Sequence, residues 1–154
     1  MRSHRGTKFI IAEAESTSGA KKVLECVSST KSVFQLFDPN SLFSEEHLLL
    51  AYENAATAFK NHTNRSRSIS TEMLLFASAQ RQISEAIRLS GAKAGARFIV
   101  FTDSKVSFDK AAHLLSHIKP AGKGYGGPAA IKRLGLEGTE LADLAQAMAL
   151  SGMQ

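Results

Sequence analysis

Lys8-Phe9-Ile10-Ile11-Ala12, Ala20-Lys21-Lys22-Val23-Leu24-Glu25-Cys26-Val27 and Val33-Phe34-Gln35-Leu36-Phe37 follow one another along the chain, and their differing periods decide the fold. The first is a short β-rich run, apolar at successive positions, which reads as a strand covered on both faces. In the second, Ala20, Val23, Leu24 and Val27 recur at i, i+3, i+4 and i+7, the spacing of an amphipathic helix, with Ser16, Thr17 or Ser18 available to cap it. The third returns to β-branched and aromatic residues and stops at the turn chemistry of Asp38-Pro39-Asn40.

Outward from there, Ser44 followed by Glu45 and Glu46 places a cap and two carboxylates at a helix start, with Leu48, Tyr52, Ala55, Ala56 and Phe59 as its buried stripe. Residues 61–70 are polar and aperiodic and read as an exposed linker from which Arg65 and Arg67 protrude. Ser70 or Thr71 is the expected cap of the next helix, apolar all round from Met73 to Ala77 and continuing through Ile83 and Ile87. Gly91 to Gly95 breaks that helix, and Arg97 to Phe101 forms another β-run, closed by Thr102-Asp103-Ser104. A helix over 107–118, a glycine and proline loop over 120–128, and helices over 129–134 and 139–150 complete the pattern. Strands interrupted by helices imply an α/β fold of the α+β kind, a small mixed sheet covered by helices, with residues 1–154 as a single domain. Strand order is not legible.

Composition agrees with a folded chain: 44% of residues are apolar and 21% charged, far from the signature of disorder. A single cysteine, Cys26, allows no intramolecular disulfide, and beside Val23, Leu24 and Val27 it reads as a small semi-buried thiol with no catalytic role. The run at Phe9 to Ala12 is much too short for a signal-peptide core or a membrane span, so a cytoplasmic location without membrane partner is expected. The net charge of +5 is unevenly distributed. Between Lys60 and Arg97 stand Lys60, Arg65, Arg67, Arg81, Arg88, Lys93 and Arg97 against only Glu72 and Glu85, whereas Glu137, Glu140 and Asp143 make the last stretch acidic. A segregated positive surface points to a polyanionic partner.

The signatures of nucleophilic and zinc chemistry (Gly-x-Ser-x-Gly, Cys-x-x-Cys, His-Glu-x-x-His) do not occur, which argues against an enzyme, a cofactor or a small-molecule substrate. His113 and His117 stand at i, i+4, a metal-ligating spacing on a helix, but no Cys or acid triad accompanies them and surface histidines are the better reading. The candidates for RNA contact are Lys60, Arg65, Arg67 and Arg81, with Lys123 and Tyr125 of the Lys123-Gly124-Tyr125-Gly126-Gly127-Pro128 loop. That loop offers a cation, a stacking ring and backbone amides, although ordinary turn chemistry explains its glycines equally. Arg81 has an alternative as well, a helix pair with Glu85 that would contribute only ~0.3 kcal/mol if exposed. In the last helix Leu141, Leu144, Met148 and Leu150 form an apolar side that is either core or a surface for a partner.

Three stretches carry a family resemblance: Ser44 to Ala55 with Phe59, Ser70 to Ile87, and more weakly Ile131 to Leu144. The second, with its acid, apolar run, Ser78 and Arg81-Gln82-Ile83, is the most specific. Together they resemble the kinase-binding subunit of the archaeal and eukaryotic KEOPS complex, in matching order over about two thirds of the chain. One departure is Ala79, where that family carries glycine; alanine suits a helix interior, which argues against close backbone contact there.

The resemblance implies a non-catalytic α/β subunit that binds and regulates the small atypical kinase or ATPase of the complex, with Leu141, Leu144 and Met148 as interface candidates. It also implies help in recruiting tRNA by its 3′ CCA end for threonylcarbamoyladenosine modification. The rival readings are a stand-alone basic RNA-binding module and an uncharacterised enzyme.

Overall fold

The computed structural model describes residues 2–4, 6–122 and 124–153, with side chains from residue 6 onward. In chain order its elements are β1 (Arg2–His4), β2 (Thr7–Glu15), α1 (Ala20–Val27), β3 (Phe34–Phe37), α2 (Glu45–Lys60), α3 (Ile69–Ser78), α4 (Ile83–Ser90), β4 (Phe98–Thr102), α5 (Lys105–Ala111), β5 (Ser116–Pro120), α6 (Pro128–Arg133) and α7 (Leu141–Ser151), with 3-10 turns at Pro39–Ser41 and Ala112–Leu114. This is a mixed α/β protein, as the alternation of periods implied. By their contacts its residues form two units, Met1–Asp38 with Ala92–Gly124 and Pro39–Gly91 with Tyr125–Gln154.

The first unit is a sheet with β2 as its spine. β2 pairs antiparallel with β4 from Ile10↔Thr102 to Ala14↔Phe98, and β4 with β3 from Phe34↔Thr102 to Phe37↔Ile99. β1 pairs with β2 at Thr7 to Phe9 and β5 pairs with it from Ala12 to Glu15. Every pairing among the described strands is antiparallel, which narrows the mixed sheet that was expected. On one face Ala14, Phe34, Leu36, Phe98 and Val100 pack against Val23 and Val27 of α1 and Ala111 of α5. Alternation puts Phe9, Ile11, Phe37, Ile99 and Phe101 on the other face, and they are buried too. Burial on both faces is why these strands read as near-continuous apolar runs.

Two expectations fail in this unit. None of Ser16, Thr17 and Ser18 caps α1: its N-cap is Gly19, without a side-chain bond, while Ser16 Oγ accepts from Ser18 N at 3.2 Å. The helix expected over 107–118 ends at Ala111, and Ser116–Pro120 is instead a fully exposed edge strand. Leu114 and Leu115 do pack against the core, so the apolar spacing was real, but β2 takes the chain beyond them as a strand. The edge carries Lys119, Pro120, a register shift opposite Glu13 and Glu15, and His117 at φ 53°, features that discourage pairing with another chain.

The second unit is helical. α2 buries His47, Leu48, Ala51, Ala55 and Ala58, α3 is buried on every side from Glu72 to Ser78, and α7 packs on both through Leu144, Met148 and Ser151. Ser44 occupies the N-cap of α2 but makes no capping bond; the free amide of Phe43 donates instead to His47 Nδ1 at 2.9 Å. For α3 the cap is Ser68, whose Oγ accepts from Thr71 N, rather than Ser70 or Thr71.

The long helix expected from Met73 through Ile87 is two helices. Ala79 ends α3 in the left-handed region, φ 54° and ψ 37°, with Ala79 N donating to Phe76 O and Gln80 N to Leu75 O, both at 3.0 Å. Those are the paired bonds that close a helix on a residue that is usually glycine. Alanine had argued for an unbroken helix; here it bears the steric cost of the left-handed conformation. Ala79→Gly should therefore raise the unfolding free energy by about 0.5–1 kcal/mol, the relief being partly offset by a freer unfolded chain. A urea midpoint that fails to rise would contradict this reading of residue 79.

Candidate functional site

The basic candidates divide into those held inside and those left free. Arg65 does not protrude from its linker. Glu72, wholly buried, accepts from Arg65 N at 3.0 and 3.1 Å, Ser66 N at 2.9 Å and Ser66 Oγ at 2.7 Å, with Arg65 Nε at 3.5 Å. The guanidinium, only 16% exposed as a side chain, lies over the Phe76 ring at 4.9 Å. Its Nη1 donates to Gln80 O at 3.2 Å and to Ser151 O at 2.9 Å, two carbonyls at helix C-terminal ends where a cation is favoured. Phe76 also requires Gly152 opposite it, since a Cβ there would come within 2.6 Å of the ring. Arg65 is thus the joint between the linker, the turn after α3 and the end of α7.

Lys60, Arg67 and Arg81 are exposed, and none of their side chains has a hydrogen bond or ion pair among the described residues. Lys60 ends α2, Arg67 follows the Arg65 anchor by two residues, and Arg81 directly follows the Gln80 carbonyl that Arg65 holds. One buried guanidinium therefore tethers both segments on which the free arginines Arg67 and Arg81 stand. The Arg81–Glu85 pair does not form, because Arg81 lies in the turn and Glu85 is engaged by Arg88 at 2.6 Å. That bond holds the Glu85 carboxyl below its ordinary range and raises Arg88.

The glycine loop is spent on its own fold. Gly126 N donates to Pro39 O and Leu42 O, and Gly127 N to Phe43 O, so these backbone amides are not open to a ligand. A Cβ at Gly126 would come within 2.6 Å of Asn40 O, so glycine is required by close backbone approach. Tyr125 is half-buried with its hydroxyl oxygen buried, and Lys123 lies outside the described residues.

On α7, Leu141 is half-buried at the first helical position, Leu144 and Met148 are wholly buried, and Leu150 and Met153 are 57% and 77% exposed. The apolar side that the spacing marked is therefore mostly core, and the exposed apolar atoms lie toward the end of the helix. His113 and His117 share no helix face: His113 Nδ1 contacts Lys110 O in a 3-10 turn, while His117 Nδ1 pairs with Glu15 in β5. Cys26 is half-buried, its thiol donating to Lys110 O at 3.4 Å. Among the described residues no group of three or more His, Cys, Asp or Glu could hold a metal ion, and no helix is long and apolar enough to cross a membrane.

Glu72 was not singled out from the sequence, and the signal was present: a lone acid in the first turn of a helix that is otherwise apolar all round. Residues 14–125 match the model of a protein family, described as kinase binding protein CGI-121. No curated protein matches the chain.

Proposed function

The chain belongs to the CGI-121 family of kinase binding proteins, and from that premise we propose that it is a non-catalytic, cytoplasmic subunit of the KEOPS tRNA-modifying complex. It docks on the atypical kinase or ATPase subunit and regulates it, and it helps to hold tRNA by the 3′ CCA end for threonylcarbamoyladenosine formation. The family match over 14–125 carries the kinase limb. The exposed Lys60, Arg67 and Arg81, with no internal partner among the described residues, support the RNA limb. Single-strand binders combine cations that follow the backbone with surfaces on which bases stack.

In the kinase limb, the partly exposed Leu141 and the exposed Leu150 meet the partner, while the buried Leu144 and Met148 hold α7 on α2 and α3. The purified chain should co-elute with the kinase subunit in gel filtration, and Leu150→Asp should weaken the complex at least tenfold, since a carboxylate would be desolvated at an apolar contact. Separate elution of the unaltered proteins would overturn the kinase limb.

In the RNA limb, tRNA lacking its CCA end should bind much more weakly than intact tRNA. Removing Lys60, Arg67 and Arg81 together should flatten the plot of log affinity against log salt by about 0.7 per neutralised phosphate, roughly 2 in all. Stability should stay within about 0.5 kcal/mol, as these side chains are exposed. An unchanged salt slope clears the three cations, and equal affinity for both tRNAs would favour a basic RNA-binding module that does not read the CCA end.

A further inference from the structure

No glycine or proline stands between Ile69 and Ser90, yet the chain there is broken into α3 and α4. The break has a local cost. Ala79 is left-handed, and α4 starts without a capping bond from its N-cap Gln82, so its first-turn amides lack the side-chain acceptor that α3 has in Ser68. α4 also leaves Ile83 and Ile87, four residues apart, 40% and 51% exposed. In an unbroken helix the amides of Ile83, Ser84 and Glu85 would bond to the carbonyls of residues 79–81.

What holds the break comes from outside the two helices. Arg65 Nη1 occupies Gln80 O, the carbonyl that Ser84 N would otherwise take, and Arg65 is itself fixed by Glu72 and Ser151 O. The hold is incomplete, because Arg65 Nη2 is buried without an acceptor. Within α3, Ser78 Oγ returns to Leu74 O and Leu75 O, a bond that loosens the last turn.

We propose that α3 and α4 form a two-state element hinged at Ala79 and latched by Arg65. Release of the guanidinium from Gln80 O lets residues 79–83 become helical, which moves α4 and relocates Arg81. The inference stands on the geometry of the break and does not depend on which partner the chain binds.

The experiment is NMR on the full chain, with relaxation dispersion and Cα shifts for residues 79–85 in the unaltered protein, Ala79→Gly and Arg65→Gln. The unaltered chain should show exchange confined to this segment. Ala79→Gly favours the left-handed turn and disfavours the helix, each by about fivefold in population, so the exchange should be quenched. Arg65→Gln should shift residues 79–83 toward helical Cα values. If Arg65→Gln does not fold, the comparison of Ala79→Gly with the unaltered protein still decides. Identical dispersion and shifts in those two would establish a fixed turn and overturn the proposal.

Discussion

Glu72→Ala lowers the unfolding free energy by about 3–5 kcal/mol, the range for removing one partner of a buried, hydrogen-bonded charge pair. The carboxylate is wholly buried and accepts from Arg65 N, Ser66 N and Ser66 Oγ besides facing Arg65 Nε. Its loss strands two backbone amides and leaves a guanidinium, itself only 16% exposed, without its counter-charge. Glu72→Gln keeps the shape but turns an amide NH₂ toward donors, so it should cost nearly as much. Arg65→Met should cost less, about 2 kcal/mol, since Glu72 keeps its bonds to Ser66 and to the residue 65 backbone amide. Urea unfolding at constant m-value measures all three. A loss below about 1 kcal/mol for Glu72→Ala, or a larger loss for Arg65→Met, would show that the pair does not organise the linker as described.

The parts of this fold that were legible are those whose burial is asymmetric or complete. β2, β3 and β4 lie in the runs of β-branched and aromatic residues, because both faces are covered and the polar Glu13 and Gln35 that fall within β2 and β3 are buried with their neighbours. α1 and α2 stood out because each buries one side. What was missed is decided by neighbours rather than by local pattern. β5 has five exposed residues and becomes a strand only by pairing with β2. Ala79 carries no mark of a helix end, since its side chain is the best helix former, and the Gln80 carbonyl just beyond it accepts from Arg65, fifteen residues away in sequence. The candidate site divided in the same way. Lys60, Arg67 and Arg81 are exposed as polar segments suggested, but spacing cannot show that Arg65 is drawn inward by an acid seven residues on. Nor can it show that the amides of Gly126 and Gly127 are already used within the loop.

His47 makes the fold sensitive to acid in a window that one substitution should erase. It sits in the first turn of α2, wholly buried, with Nδ1 accepting from Phe43 N at 2.9 Å. That assignment leaves Nε2 to carry the proton and donate to Ala77 O at 2.8 Å, so the neutral ring joins the start of α2 to the end of α3. Burial lowers its pKa from 6.5 to about 4, against the opposing pull of the Ala77 carbonyl. Protonation would place a second N–H against the Phe43 amide and a charge where no water reaches. The unfolded chain takes up this proton near pH 6.5 and the folded chain only near 4, so stability is intact above 6.5 and falls progressively as pH drops through that interval. The full interval corresponds to about 3 kcal/mol, of which about 2 kcal/mol is lost by pH 5. His47→Gln keeps hydrogen-bonding groups without a titrating ring; it should be less stable at pH 7.5 yet show a flatter profile down to pH 5. Urea unfolding at half-unit steps of pH in both proteins isolates the difference, and parallel profiles would mean that His47 titrates normally in the folded chain.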